Sequence, residues 1–178
     1  MARFGVLVLV FCVAACATTP APKPSAPPIA TQLSTLKERL FVLVEAERHR
    51  LNAQAKALIL DPELMQAAQS HSDEMASKRS FDTGNPDGNL AVNILLTDPK
   101  FRGFVGEISA AQYFTPATGL DPETYARGFI DIWLKSPDHR MNLIYGGFDK
   151  TGIGISVSGD TIYAAELFAT DLGLPEPP

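Results

Sequence analysis

Trp133-Leu134-Lys135-Ser136-Pro137-Asp138-His139-Arg140-Met141-Asn142 is the stretch from which the rest of the chain is read. Ser136 is a helix N-cap, Pro137 sits in the first turn, and Asp138 sets an acid against the positive end of the helix dipole. A short helix therefore restarts at Ser136. The helix before it opens with Asp121-Pro122-Glu123, and Tyr125, Phe129, Ile132 and Trp133 supply its apolar face. Asp61-Pro62-Glu63 is a third start of the same kind, followed at helical spacing by Leu64, Ala67, Ala68, His71 and Met75. Further upstream, residues 31 to about 57 carry Leu33, Leu36, Leu40, Leu43 and Val44 on one stripe, again a helix. Residues 81–88, Phe-Asp-Thr-Gly-Asn-Pro-Asp-Gly, form a turn-rich loop. The C-terminal part reads as a hairpin, with Gly152-Ile153-Gly154-Ile155-Ser156-Val157, a turn at Ser158-Gly159-Asp160, then residues 161–168. Helices surrounding a small antiparallel sheet make an α+β fold.

The chain has 178 residues, 46% hydrophobic and 20% charged, with a net charge of −5. That length suits one domain with its own core, and the composition is not that of a disordered chain. The acidic balance argues against nucleic acid as a partner, because such binders carry a basic stripe. The Gly152–Gly154 pair belongs to a strand, so no glycine-rich phosphate cradle is present in the sequence.

The first residues read as a targeting segment. Met1-Ala2-Arg3 is a basic start, and residues 4–13 are an apolar run too short to span a bilayer. Val13-Ala14-Ala15-Cys16 resembles the lipobox of bacterial lipoproteins. That resemblance implies cleavage before Cys16, lipidation of its sulfur and a bilayer anchor; plain secretion is the other reading. Ala17 after the cysteine fits the outer membrane of a Gram-negative envelope. Residues 17–30 hold five prolines and form an extended linker. The expected organisation is a leader over 1–15, a lipidated cysteine and linker over 16–30, a domain over 31–172 and a flexible tail over 173–178. Both cysteines, Cys12 and Cys16, lie in the leader region, so the domain has no disulfide and no thiolate. Removing Arg3 with the leader takes the net charge to −6.

Several motifs, in order, resemble the CAP superfamily (cysteine-rich secretory, antigen-five and pathogenesis-related proteins; the SCP domain) in its bacterial form. They are Glu45-Ala46-Glu47-Arg48; residues 64–76; Arg79-Ser80-Phe81 with Asn85-Pro86-Asp87-Gly88; Gly106-Glu107-Ile108; the Trp133–Asn142 stretch; and Gly152-Ile153-Gly154-Ile155 with Phe168. The resemblance spans about residues 36–170. It implies a three-layer α-β-α sandwich with an open cleft, in which members often place two histidines and two acids. Carried over position by position, the first histidine falls on Thr83, the first acid on Glu107, the second acid on Ser136 and the second histidine on His139.

That set is incomplete for a metal centre, which wants three or four N, S or O ligands, so no metal and no cofactor are expected. His139, near the start of its helix, is expected to carry a neutral ring unless Glu107 pairs with it. Glu107 and His139 are the catalytic candidates, and Thr83, Glu107, Ser136, His139 and Glu166 the candidate cleft residues. Glu166 alternates with Ala164 and Phe168 on an apolar side that would face the cleft, where it needs a partner. His71 either packs in its helix stripe or points into the cleft, and His49 belongs to a solvated face. Three functions remain open. One is an envelope lipoprotein whose cleft holds a lipid, cell-wall or protein ligand without chemistry; the second is a weak hydrolase using His139 with Glu107; the third is a structural interaction module with an idle cleft.

Overall fold

The computed structural model describes residues 27–80 and 103–170. Cys16, the leader, most of the linker, Thr83 with its loop, and the tail lie outside them. Helix α1 covers Ile29–Leu51 and buries Leu36, Leu40, Leu43, Val44 and Arg48 along one stripe. It ends earlier than its apolar period suggests. Asn52 turns extended (φ −142°), its Oδ1 accepts from Gln54 N and its Nδ2 donates to Ile144 O, so a short polar side chain takes the backbone out of the helix. Strand β1 (Ile59–Leu60) follows, then α2 (Pro62–Lys78). Asp61 caps α2 by accepting from Glu63 N and Leu64 N, and Arg79 closes it in the left-handed region (φ 49°).

Strand β2 covers Val105–Tyr113, α3 Pro122–Lys135 and α4 Pro137–Ile144. Asp121 accepts from Thr124 N, and Ser136 Oγ accepts from His139 N at 3.5 Å, so both expected caps are in place. Strands β3 (Lys150–Ser158) and β4 (Thr161–Ala169) form the expected hairpin through a two-residue turn, Gly159-Asp160, whose Gly159 takes φ +63°. The sheet order is β1-β3-β4-β2. Its three long strands are antiparallel; the two-residue β1 adds a parallel edge, making the sheet mixed.

The sheet lies between two helical layers, as the α-β-α expectation requires. On one face α1, α3 and α4 enclose the main core around Trp133, Phe129, Phe148, Phe168, Ile108 and Ile153. On the other face α2 packs alone, through Leu64, Ala67 and Ala68 over Leu167 and through Met75 and Ala76 over Tyr163 and Ala165. Two glycines let α2 come this close. A Cβ on Gly152 would stand 2.1 Å from the Leu64 carbonyl carbon, and one on Gly154 2.0 Å from the Ala68 carbonyl oxygen. The Gln69 amide then closes β3 where β1 is too short to reach: its Oε1 accepts from Ile155 N at 3.3 Å and its Nε2 donates to Ile155 O at 3.1 Å. One side chain thereby supplies both groups a neighbouring strand would have offered.

Arg48 ties the other layer together. Its guanidinium is fully buried and donates to four backbone carbonyls, those of Leu143, Tyr145, Lys56 and Phe148. These belong to the end of α4 and to the loops before β1 and β3, three segments distant in sequence. Burial pushes its pKa down, against the pull of Glu45 and Glu166. Arginine keeps its charge across such a shift, and its five donors suit a ring of carbonyls.

Candidate functional site

Glu107 occupies an odd position of β2, beside Leu167 of β4, and its side chain leaves the sheet on the α2 face. His71 comes down from α2 to meet it. His71 Nε2 lies 3.0 Å from Glu107 Oε1, and each side chain is only 5% exposed. The contact has ion-pair distance without hydrogen-bond alignment, because neither His71 nitrogen and neither Glu107 oxygen has a hydrogen-bond partner. Glu107 is held from behind: Asn142 Nδ2 of α4 donates to the Glu107 carbonyl at 3.1 Å. Gly106 makes room for that helix, since a Cβ there would stand 2.9 Å from Asn142 Oδ1 and 2.8 Å from Phe148 Cζ.

His139, at the start of α4, stands close enough for Glu107 to influence its charge. Burial lowers its pKa, and Asp138 and Glu107 pull weakly the other way. The ring is therefore neutral near pH 7, as expected, though desolvation is the largest cause. His139 Nδ1 is also buried without a partner. Ser136 Oγ accepts from His139 N at the cap of α4.

Two expectations are revised here. The close partner of Glu107 is His71, which the helix period had left between packing and cleft, so the His139–Glu107 hydrolase pair is not the pair that forms. Glu166 does not face this site. It stands opposite Ile108 and Ile153 in the register, on the face buried under α1, α3 and α4, and is fully enclosed. Thr83 lies outside the described residues. Of the expected set, Glu107 lies near enough to His139 to influence its charge, Ser136 caps the helix that carries His139, and His71 contacts Glu107.

Glu166 is a buried acid with a local explanation. Thr151 Oγ1 lies 2.9 Å from its Oε1 and 2.8 Å from Leu167 O, both acceptors for a single hydroxyl hydrogen. A proton on Glu166 resolves the conflict, because the carboxyl then donates to Thr151, which donates to Leu167. Burial pushes the Glu166 pKa up to about 8, above the opposing effects of Thr151 and Arg48.

Among the described residues no three His, Cys, Asp or Glu side chains gather as a metal site, so a tetrahedral zinc centre does not fit there. No helix among them is long and apolar enough to cross a membrane.

The sequence pattern of the cysteine-rich secretory protein family, CAP, matches residues 46–170. No curated protein matches the sequence. Among solved structures, the fold is similar to an outer surface protein of Borrelia burgdorferi, at 20% identity and a TM-score of 0.60, covering 76% of this chain and 92% of that one. It is similar to an extracellular protein of Bacillus anthracis containing an SCP domain, at 22% identity and a TM-score of 0.57, covering 84% of this chain. A cysteine-rich secretory protein of Staphylococcus aureus follows at 18% identity and a TM-score of 0.52, covering 83% of this chain. The chain spans 45% and 42% of the latter two, which are longer proteins.

Proposed function

The chain belongs to the CAP family of cysteine-rich secretory proteins, and from that membership we propose that it is a domain tethered outside the cytoplasm through Cys16. It holds a ligand at the His71–Glu107 contact, beside His139, and it does not transform that ligand. The observation that carries this reading is the set of buried atoms without a hydrogen bond beside the 3.0 Å His71 Nε2–Glu107 Oε1 contact: Nδ1 of His71, Oε2 of Glu107 and Nδ1 of His139. Leaving such groups unsatisfied costs roughly 1–3 kcal/mol each, so a molecule offering donors and acceptors gains by filling them. Family resemblance points to a lipid or sterol-like molecule, a cell-wall fragment or a partner surface. The similar proteins described as outer-surface or extracellular support a position outside the cytoplasm.

Native mass spectrometry of the protein extracted from its own envelope tests the ligand. A defined mass should accompany the wild type and be lost in Glu107→Gln and His71→Ala. The same spectrum for all three, or turnover of a defined compound that either substitution abolishes, would overturn the reading. The tether has its own test: Cys16→Ser should leave the membrane fraction, and its persistence there would remove the lipid anchor from the proposal.

A further inference from the structure

Beyond the two residues of β1, helix α2 closes the outer edge of β3 in place of a strand. Thr151 O accepts from Asp61 N, the residue that caps α2. Ile155 N and O both meet the Gln69 amide. Between them, Ile153 N donates to Met65 Sδ at 3.2 Å. A thioether sulfur is a weak acceptor, and here it stands where a neighbouring strand would have set a carbonyl. The seam has no slack. A Cβ on Gly152 would stand 2.2 Å from Met65 N, so the helix backbone already lies on the strand backbone. The chain has four methionines, of which Met65, Met75 and Met141 are described. Met75 is 2% exposed and Met141 63% exposed. Met65 is half-buried, and of the three it alone has a sulfur that accepts from the backbone among the described residues.

We propose that Met65 is a site of reversible oxidation by hydrogen peroxide and that its sulfoxide loosens α2 from β3. Ile153 N engages one lone pair of Sδ, and the other is free to attack. Sδ attacks one peroxide oxygen, an S–O bond forms and the O–O bond breaks. The second oxygen leaves as water, taking the proton of the transferred oxygen. Sulfur is oxidised by two electrons and the peroxide is reduced by two. The product cannot keep the seam as it is. An oxygen directed at Ile153 N needs about 2.9 Å of its own. The sulfur already stands at 3.2 Å, so the side chain must retreat. An oxygen directed away leaves Ile153 N facing an electron-poor sulfur and sets a polar group against the α2–β3 contact. Both outcomes lift the helix, because the glycine seam gives it nowhere else to go. His71 rides on the same helix, so oxidation should also release the ligand held beside Glu107. Only this last consequence rests on the ligand-holding reading.

The full chain, treated with hydrogen peroxide and followed by peptide mass spectrometry and amide hydrogen exchange, tests the site. Met65 and Met141 should each gain one oxygen while Met75 gains none, which marks the fold as intact during oxidation. The Ile153 amide should then exchange about tenfold faster, the change expected for one lost hydrogen bond. Methionine sulfoxide reductase should restore the slow exchange. Met141→Leu should keep the whole response. Met65→Leu conserves volume, so it should fold, exchange fast at Ile153 from the start and show no response to peroxide. Oxygen on Met141 alone, or unchanged exchange at Ile153 once Met65 is oxidised, would overturn the proposal. The mass co-extracted with the wild type should also fall after peroxide. An undiminished mass would detach the oxidation from the ligand and leave the loosening of α2 standing, whereas a wild type with no co-extracted mass would defeat the ligand reading alone.

Discussion

Glu107 and Glu166 stand on adjacent strands one register step apart, Glu107 beside Leu167 and Glu166 beside Ile108, and their side chains leave opposite faces of the sheet. That one-residue offset gives two acids two roles. Glu107 meets His71 under α2 through Oε1, and neither of its oxygens has a hydrogen bond. Glu166 is sealed beneath α1, α3 and α4, where Thr151 is its hydrogen-bond partner. An acid so enclosed is most stable when it carries a proton.

Glu166→Gln should therefore stabilise the protein at alkaline pH. The folded carboxyl titrates at about 8 against 4.5 in the open chain. The folded state thus holds a proton that the unfolded state releases between those values. The stabilisation from that proton is complete below 4.5 and is lost as pH rises through 8. Glutamine is neutral throughout, so the variant should unfold at higher urea at pH 8, by about 1–3 kcal/mol, and match the wild type near pH 4.5. Equal stabilities at pH 8 would mean that Glu166 carries no such proton.

The His71–Glu107 contact should appear as coupling. His71→Ala and Glu107→Ala are each expected to cost about 2–4 kcal/mol, because each leaves a buried polar partner alone. The double variant should cost less than the two together, by about 1 kcal/mol or more. Urea unfolding of the four proteins measures this, and strict additivity would show that the 3.0 Å approach carries no interaction.

Arg48→Lys tests whether geometry or charge matters at the four carbonyls. An ammonium keeps the charge but has three donors and no planar fork, so at least one of the carbonyls of Leu143, Tyr145, Lys56 and Phe148 loses its donor. The expected cost is about 2–3 kcal/mol in urea unfolding. A loss below a few tenths would mean that water or a shifted backbone replaces the fork.

Local chemistry was legible in the sequence, and tertiary register was not. Asp61, Asp121 and Ser136 announce helix starts because capping involves only the next three residues. The β3–β4 hairpin is visible for the same reason, through its turn at Gly159. Strand β2 shows only its Gly106-Glu107-Ile108 motif, because Ser109-Ala110-Ala111-Gln112 has little strand preference of its own and pairing with β4 defines it. Glu107, Ser136 and His139 were reached through family resemblance. His71 was left open because helical spacing says which residues share a stripe but not which of them meets a carboxyl on another element. Glu166 was assigned to the wrong face for a related reason. Alternation groups it with Ala164 and Phe168, but which helices cover that face depends on the whole sheet.

Gly154→Ala joins packing to the site. The added Cβ would stand 2.0 Å from Ala68 O and 2.4 Å from Gln69 N, both backbone atoms that no rotamer change can move. Helix α2 must then lift from β3. Gln69 leaves Ile155, and His71, two residues further along the helix, draws away from Glu107. The substitution gains a little by restricting the unfolded chain, about 0.4–1 kcal/mol, but the clash outweighs it. A net loss of about 1–3 kcal/mol is expected, typical of overpacking. The variant should also retain less of the mass extracted with the wild type. Gly159→Ala is the control: nothing lies within 4 Å of its Cβ, but its φ of +63° strains any side chain. It should lose stability and keep the ligand. If Gly154→Ala loses stability and still keeps the ligand in full, the seating of α2 does not position His71 for binding.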